Sequence, residues 1–299
     1  MTAGGWVTLP RVTTPRLLIA LLAAAAFTVA ACGDDDEAAP SQQQAADTPS
    51  GPSCEKADLE LKTGGQLTIG TDKPAFPPYF VDDDPTNGKG FESAVAYAIA
   101  DELGFEKSEV KWKVVPFNAS FKPGPKDFDF DVNQISISDQ RKRAVDFSEP
   151  NYESTQAVIA QNKSPAAGAT GLAELKDVQI GVQIGTTSLD AVNASIQPSK
   201  QPKVFDDSNA TVTALKQNQV EAVVTDLPTA LFLTAVEIPS ASVIGQFSAP
   251  GGDTWGALLE KDSPLTACVS KAITDLRDSG DLEQITEKWM GSETAPELN

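Results

Sequence analysis

The side chains able to do chemistry in this sequence are few, and histidine does not occur among its 299 residues. That absence removes Ser-His-Asp and Cys-His nucleophilic machinery and the common His-containing zinc sites. What remains is charge at punctuated places. Arg141 stands in the run Arg141-Lys142-Arg143, Asp226 precedes Leu227-Pro228, and Gly185 leads into Thr186-Thr187. A guanidinium is a planar, permanently charged fork suited to bidentate contact with a carboxylate. An aspartate suits an ammonium. Taken singly, each has a plainer reading: a basic run is a solvated helix face, Asp before Leu-Pro is a helix cap, and threonines after glycine form a turn. Asp82-Asp83-Asp84 before Asn87-Gly88 hints at a calcium loop, but Pro85 and Ala94 stand where ligands are needed. No metal or cofactor is expected, and no Gly-rich loop cradles phosphate.

Such residues act together only if the chain positions them, and the pattern around them alternates strand with helix. Gln66 to Gly70 reads as a strand running into a Pro-rich turn, Pro74 to Pro78. Phe91, Val95, Ile99 and Leu103 recur at helical spacing, with Gly104 as the stop. Val110 to Val115 alternates again, and Ser138 can cap a helix running toward Ala144. The second half repeats the alternation, with a strand over Val178 to Val182, a Gly-Thr turn, a helix over Thr211 to Gln217, and a buried strand Ala222-Val223-Val224. Asp226-Leu227-Pro228 opens a further helix; a strand over Gly256 to Leu259 and helices Leu265 to Asp278 and Asp281 to Met290 close the chain. This order implies an α/β architecture with largely parallel pairing.

The N-terminus predicts export. Arg11 and Arg16 precede an apolar run, Leu17 to Ala30, too short for the ~20 residues of a spanning helix. It ends in Val29-Ala30-Ala31-Cys32, which resembles the lipobox of bacterial lipoproteins. The resemblance implies a signal peptide over 1–31 and a diacylglyceryl group on Cys32, hence an extracytoplasmic protein anchored to the cell membrane. Residues 32–57 are polar and aperiodic and read as a disordered tether. With Cys32 lipidated, Cys54 and Cys268 remain; in an oxidising exterior a disulfide is expected, with two free thiols as the alternative. Beyond the tether roughly 240 residues remain, enough for one large domain or two lobes. The formal net charge of −19 argues against nucleic acid and anionic lipid as electrostatic partners.

Six pieces, in order, carry a wider resemblance. They are Gly90-Phe91-Glu92, Ile137-Ser138-Asp139-Gln140-Arg141, Val145 to Tyr152, Gly181 to Thr187, Glu221 to Asp226, and Lys288-Trp289-Met290-Gly291. Together they are similar to the family 3 extracellular solute-binding proteins, polar amino-acid receptors of ABC importers. The resemblance implies a periplasmic-binding-protein-like fold of type II: two α/β lobes joined by a two-segment hinge. Carried over, lobe one is 58–153 and 252–291, lobe two is 154–251, and 292–299 is a tail. It implies a monomer that takes an α-amino acid from between its lobes to a membrane permease.

The same resemblance assigns a site. Arg141 matches the arginine that grips the α-carboxylate, with Ser136 beside it and Thr187 facing it from the other lobe. Asp226 matches the carboxylate that holds the α-ammonium, and Gln134 the position whose backbone carbonyl accepts from the same group. Asp72 matches a pocket acid, Phe76 and Phe117 are candidate aromatic walls, and Gln183 reaches in from lobe two; Tyr79 is read as packing. Two departures stand out. Ala94 replaces a second acid after Gly90-Phe91-Glu92, and Asn133-Gln134 replaces small residues on the ammonium side. The reading is not of an enzyme, although a few dehydratase-type enzymes share the fold and Asp72 could serve as their general acid. A sensing lipoprotein that signals to a membrane partner is the other alternative.

Overall fold

The computed structural model describes residues 52–291 and 294–299. The expected signal peptide, Cys32 and most of the tether lie outside the described residues. The chain first builds β1 (Leu67–Thr71), α1 (Phe91–Glu102), β2 (Val110–Val114), α2 (Phe117–Ser120), β3 (Phe130–Asp131), α3 (Asp139–Lys142) and β4 (Val145–Phe147). It crosses over through β5 (Tyr152–Glu153) and builds β6 (Gln156–Gln161), β7 (Ile180–Gln183), α4 (Thr187–Ala191), β8 (Lys203–Phe205), α5 (Ser208–Lys216), β9 (Ala222–Asp226), α6 (Leu227–Phe232) and β10 (Ala241–Phe247). It returns through β11 (Thr254–Trp255) to β12 (Leu258–Glu260), α7 (Thr266–Ser279) and α8 (Asp281–Met290).

These strands form two five-stranded sheets, ordered β2-β1-β3-β12-β4 and β10-β6-β9-β7-β8. β5 and β11 pair antiparallel as the crossing between them. The result is two α/β lobes on a two-segment hinge. Pairing is more mixed than strand–helix alternation implies. β1 runs parallel to β2 and β3, and β7 parallel to β8 and β9, while β12, β6 and β10 pair antiparallel. The exceptions come from two strands: β6 follows β5 and β12 follows β11, so each enters its sheet from the hinge side and runs opposite to its neighbours.

Apolar spacing explains the first lobe. Phe91, Val95 and Ile99 are fully buried on one face of α1, packed with α7 and α8 over β1 and β3. Burying each such side chain contributes about 1.5–3 kcal/mol. Cys54 and Cys268 form a disulfide with Cα atoms 5.4 Å apart, fastening the start of the folded part to α7. In the second lobe β6 is buried on both faces: Val158 and Ala160 pack into one cluster, Ala157 and Ile159 into the other.

Residues 294–299, expected only as a tail, dock on the second sheet. Gln246 N donates to Pro296 O at 2.8 Å, Leu298 N donates to Gln246 O at 2.8 Å, and Leu298 is buried among lobe-two residues. Gly245 makes room, since a Cβ there would lie 2.5 Å from the Leu298 side chain.

Candidate functional site

A cavity of about 410 Å³ lies between the lobes, and all nine expected ligand-binding residues line it. Several contacts cross it. Tyr79 Oη and Thr229 Oγ1 are 2.8 Å apart, Ser136 Oγ and Thr187 Oγ1 are 3.1 Å apart, and the rings of Phe76 and Phe232 are separated by 6.4 Å. Tyr79, expected as packing, therefore also closes the cleft.

Arg141 is placed by α3, whose cap is Ser138 as expected: its side chain accepts from Arg141 N at 3.2 Å. Turned inward, Arg141 is only 8% exposed. Its Nη1 donates to Ser136 O at 2.6 Å and its Nη2 crosses the cleft to Gly185 O at 2.8 Å. The guanidinium carbon sits 4.7 Å from the Phe121 ring centre and 5.5 Å from that of Phe117. Burial lowers the Arg141 pKa from its ordinary value, and Asp253, Asp226 and Asp190 oppose the shift. Guanidinium remains charged at any physiological pH.

Asp226 ends β9 and starts α6, but its side chain makes no cap hydrogen bond. Oδ1 accepts instead from Gln156 Nε2 at 2.7 Å, inside the cleft. Burial raises the Asp226 pKa well above the carboxylate range and nearby Asp253 adds to this, against the Gln156 hydrogen bond and Arg141. Thr186 caps α4, so Thr187 is its first residue, and Gly185 before it adopts φ 76°, a conformation glycine takes without strain. Thr187 Oγ1 donates to Asp253 Oδ2 at 3.0 Å. With its proton engaged there, Thr187 accepts from Ser136.

Gln134 stands in a left-handed conformation, φ 46°. Glu92, in the first turn of α1 and 3% exposed, holds it there. Gln134 N donates to Glu92 Oε1 at 2.6 Å, and the Gln134 side-chain amide donates to Glu92 Oε2. Burial pushes Glu92 up to about 7, with the two Gln134 donors working against it. Asp72 accepts from the backbone N–H groups of Lys73 at 2.7 Å and Phe117 at 3.1 Å. That fixes the aromatic wall at Phe117. Gln183 Oε1 accepts from Ser208 Oγ at 2.7 Å at the lobe-two margin.

Sequence reasoning missed Gln156, Asp253 and Phe232. Gln156 precedes an apolar run without periodicity, and Phe232 looks like any helix residue. Asp253 carried one signal: it follows Gly251-Gly252 immediately before the return crossing. Chemically, the cavity sets a buried guanidinium near buried carboxylates, with hydroxyls between them. Among the described residues no His, Cys, Asp and Glu group could hold a metal ion, and no helix is long and apolar enough to cross a membrane.

Comparisons with known proteins agree with this architecture. The chain is 28% identical over 238 residues to the L-cystine-binding protein TcyJ of Escherichia coli strain K12, covering 78% of this chain and 86% of that one. Among solved structures it is similar to an ancestral arginine-binding protein bound to glutamine, at 28% identity and TM-score 0.65, covering 77% and 100% of the two chains. The arginine-bound form of an ancestral arginine-binding protein matches at 30% identity and TM-score 0.64, covering 76% and 99%. These relatives are binding proteins. The description of one family fits residues 67–292, nearly all of the folded part, and the chain belongs to the bacterial extracellular solute-binding proteins, family 3.

Proposed function

We propose that this protein captures a polar α-amino acid between its lobes and delivers it, as a monomer, to the permease of an ABC importer. Lipid on Cys32 anchors it at the outer face of the cell membrane. One observation carries the reading: Arg141 from the first lobe and Asp226 from the second line the same cavity. An α-amino acid presents a carboxylate and an ammonium on adjacent atoms, whatever its side chain. Arg141, Ser136 and Thr187 take the carboxylate; Asp226 and the Gln134 carbonyl take the ammonium. Asp72, Phe76, Phe117 and Gln183 shape the side-chain pocket. The lobe boundaries follow the crossings, with 58–153 and 252–291 moving against 154–251.

Hydrogen bonds to charged groups contribute about 1.5–3 kcal/mol each, so a few of them reach micromolar or tighter affinity after association costs. Because the two charges come from different lobes, the amino acid binds the closed form better than the open one. Population shift requires that differential.

The test is a thermal-shift screen of the protein against the common amino acids, followed by titration calorimetry on any that stabilise it. At least one polar amino acid should raise the melting temperature, and Arg141→Ala should abolish the shift while far-UV circular dichroism is unchanged. Undiminished binding by that variant rejects the assignment. Labelling with radioactive fatty acid, lost in Cys32→Ser, tests the anchor.

A further inference from the structure

Among the charges acting on Arg141 and on Asp226, the strongest in each case is a third residue, Asp253. Asp253 lies on the return crossing, directly before β11, and is 2% exposed. Its carbonyl accepts from Ser154 N at 2.8 Å, which pins it to the other crossing segment. Its Oδ2 accepts from two side chains, Thr187 Oγ1 at 3.0 Å and Gln156 Nε2 at 2.7 Å. The same Gln156 nitrogen reaches Asp226 Oδ1 at 2.7 Å, and the same Thr187 oxygen meets Ser136 Oγ at 3.1 Å. Oδ1 of Asp253 is buried with no hydrogen-bond partner among the described residues.

A half-satisfied buried carboxylate destabilises a fold. A packed apolar or amide side chain would serve the hinge better. The groups around it explain its retention. Arg141 faces it from α3 and Asp226 from the end of β9, with Asp190 of α4 and Glu92 of α1 in the surrounding field.

We propose that Asp253 is a further positioning residue of the amino-acid site: from the hinge it sets the Thr187 hydroxyl and the Gln156–Asp226 pair, and its charge makes the site demand an ammonium. Hinge closure and assembly of both halves of the site then become one event, because the residue that moves with the crossing also orients each half. The inference rests on the amino-acid reading above. It also fixes a sign. The negative charge of Asp253 favours the protonated form of Asp226, so removing that charge lets Asp226 ionise, and hold an ammonium, at lower pH.

Titration calorimetry with L-arginine, L-glutamine and L-cystine between pH 5 and 9 tests this on wild type, Asp253→Asn, Arg141→Ala and Asp226→Asn. At pH 8, Asp253→Asn should weaken whichever of the three binds by about tenfold or more. It should also move the acid limb of the affinity profile to lower pH, which loss of packing alone would not do. Asp253→Ser, with room for water in the vacated space, should repeat both effects should the Asn variant misfold. Wild-type affinity and an unmoved acid limb in Asp253→Asn, alongside losses in Arg141→Ala and Asp226→Asn, overturn the role of Asp253 alone. Failure of these three and of every common amino acid to bind wild type overturns the underlying reading and this inference with it.

Discussion

At the Arg141 end of the cleft one cation is met by two backbone carbonyls and two aromatic rings, whereas at the Asp226 end two carboxylates share a single amide nitrogen. The first arrangement is satisfied without a counter-ion, since neutral dipoles and ring faces stabilise a weakly hydrated guanidinium. The second is not. Two desolvated acids, with the shared Gln156 amide and the Thr187 hydroxyl as their side-chain donors, remain short of positive charge, and burial with Asp253 nearby raises the Asp226 pKa. The empty fold thus opposes ionisation of Asp226 at one end of the cavity, while the opposite end presents a cation already held in geometry. An incoming ammonium relieves the deficit; an incoming carboxylate has to compete with carbonyl oxygens.

This contrast can be broken in graded steps. The largest effect belongs to Arg141→Ala, which deletes the fork and strands two carbonyls: affinity for the amino acid that binds should fall by about a hundredfold or more by calorimetry. Next comes the pH dependence of stability. Glu92 is raised to about 7 in the fold, so its contribution is fully present below its unfolded pKa and is lost as pH rises through the folded value. The shift corresponds to a loss on the order of 3 kcal/mol between acid and mildly alkaline pH. Melting curves at pH 5 and pH 8 should show the wild type less stable at pH 8, with the gap narrowed in Glu92→Gln and the remainder left by the other raised carboxyls, Asp226 and Asp131; an equal gap in both proteins removes Glu92 as a source. Asp226→Asn should cut affinity by about tenfold or more while raising the melting temperature at pH 8, because it removes a charge the empty site cannot satisfy. An unaltered melting temperature would count against the unmet-charge account. The smallest effect is expected for Ser136→Ala, a loss of about fivefold or less in affinity, since Thr187 keeps its bond to Asp253.

Much of this arrangement was legible in the residues, and the rest was hidden for identifiable reasons. Helix α1 was readable because Phe91, Val95 and Ile99 obey a helical period and one face is buried. Strand β6 gave no such signal. Packed on both faces, it reads as an unbroken apolar run, and periodicity is silent there. Helix α5 starts at Ser208, before the stretch read as helical, because Asp207 supplies the cap by accepting from Ala210 N at 2.7 Å. In the site, family motifs point to Arg141 and Asp226, and the structure lines one cavity with both. The residues that organise them were invisible because they act across long separations: Gln156 bridges acids 70 and 97 positions away. The Asn133-Gln134 departure has a local explanation. A glutamine takes a left-handed conformation suited to smaller residues because Glu92 grips both its nitrogens.

The docked segment at 294–299 fastens the end of the chain to the second lobe, although α8 packs with α1 and α7 in the first. Leu298 is the peg. Withdrawing it from its socket costs about 1.5–3 kcal/mol, so the last residues belong to the body of lobe two rather than to the helix that precedes them in the sequence.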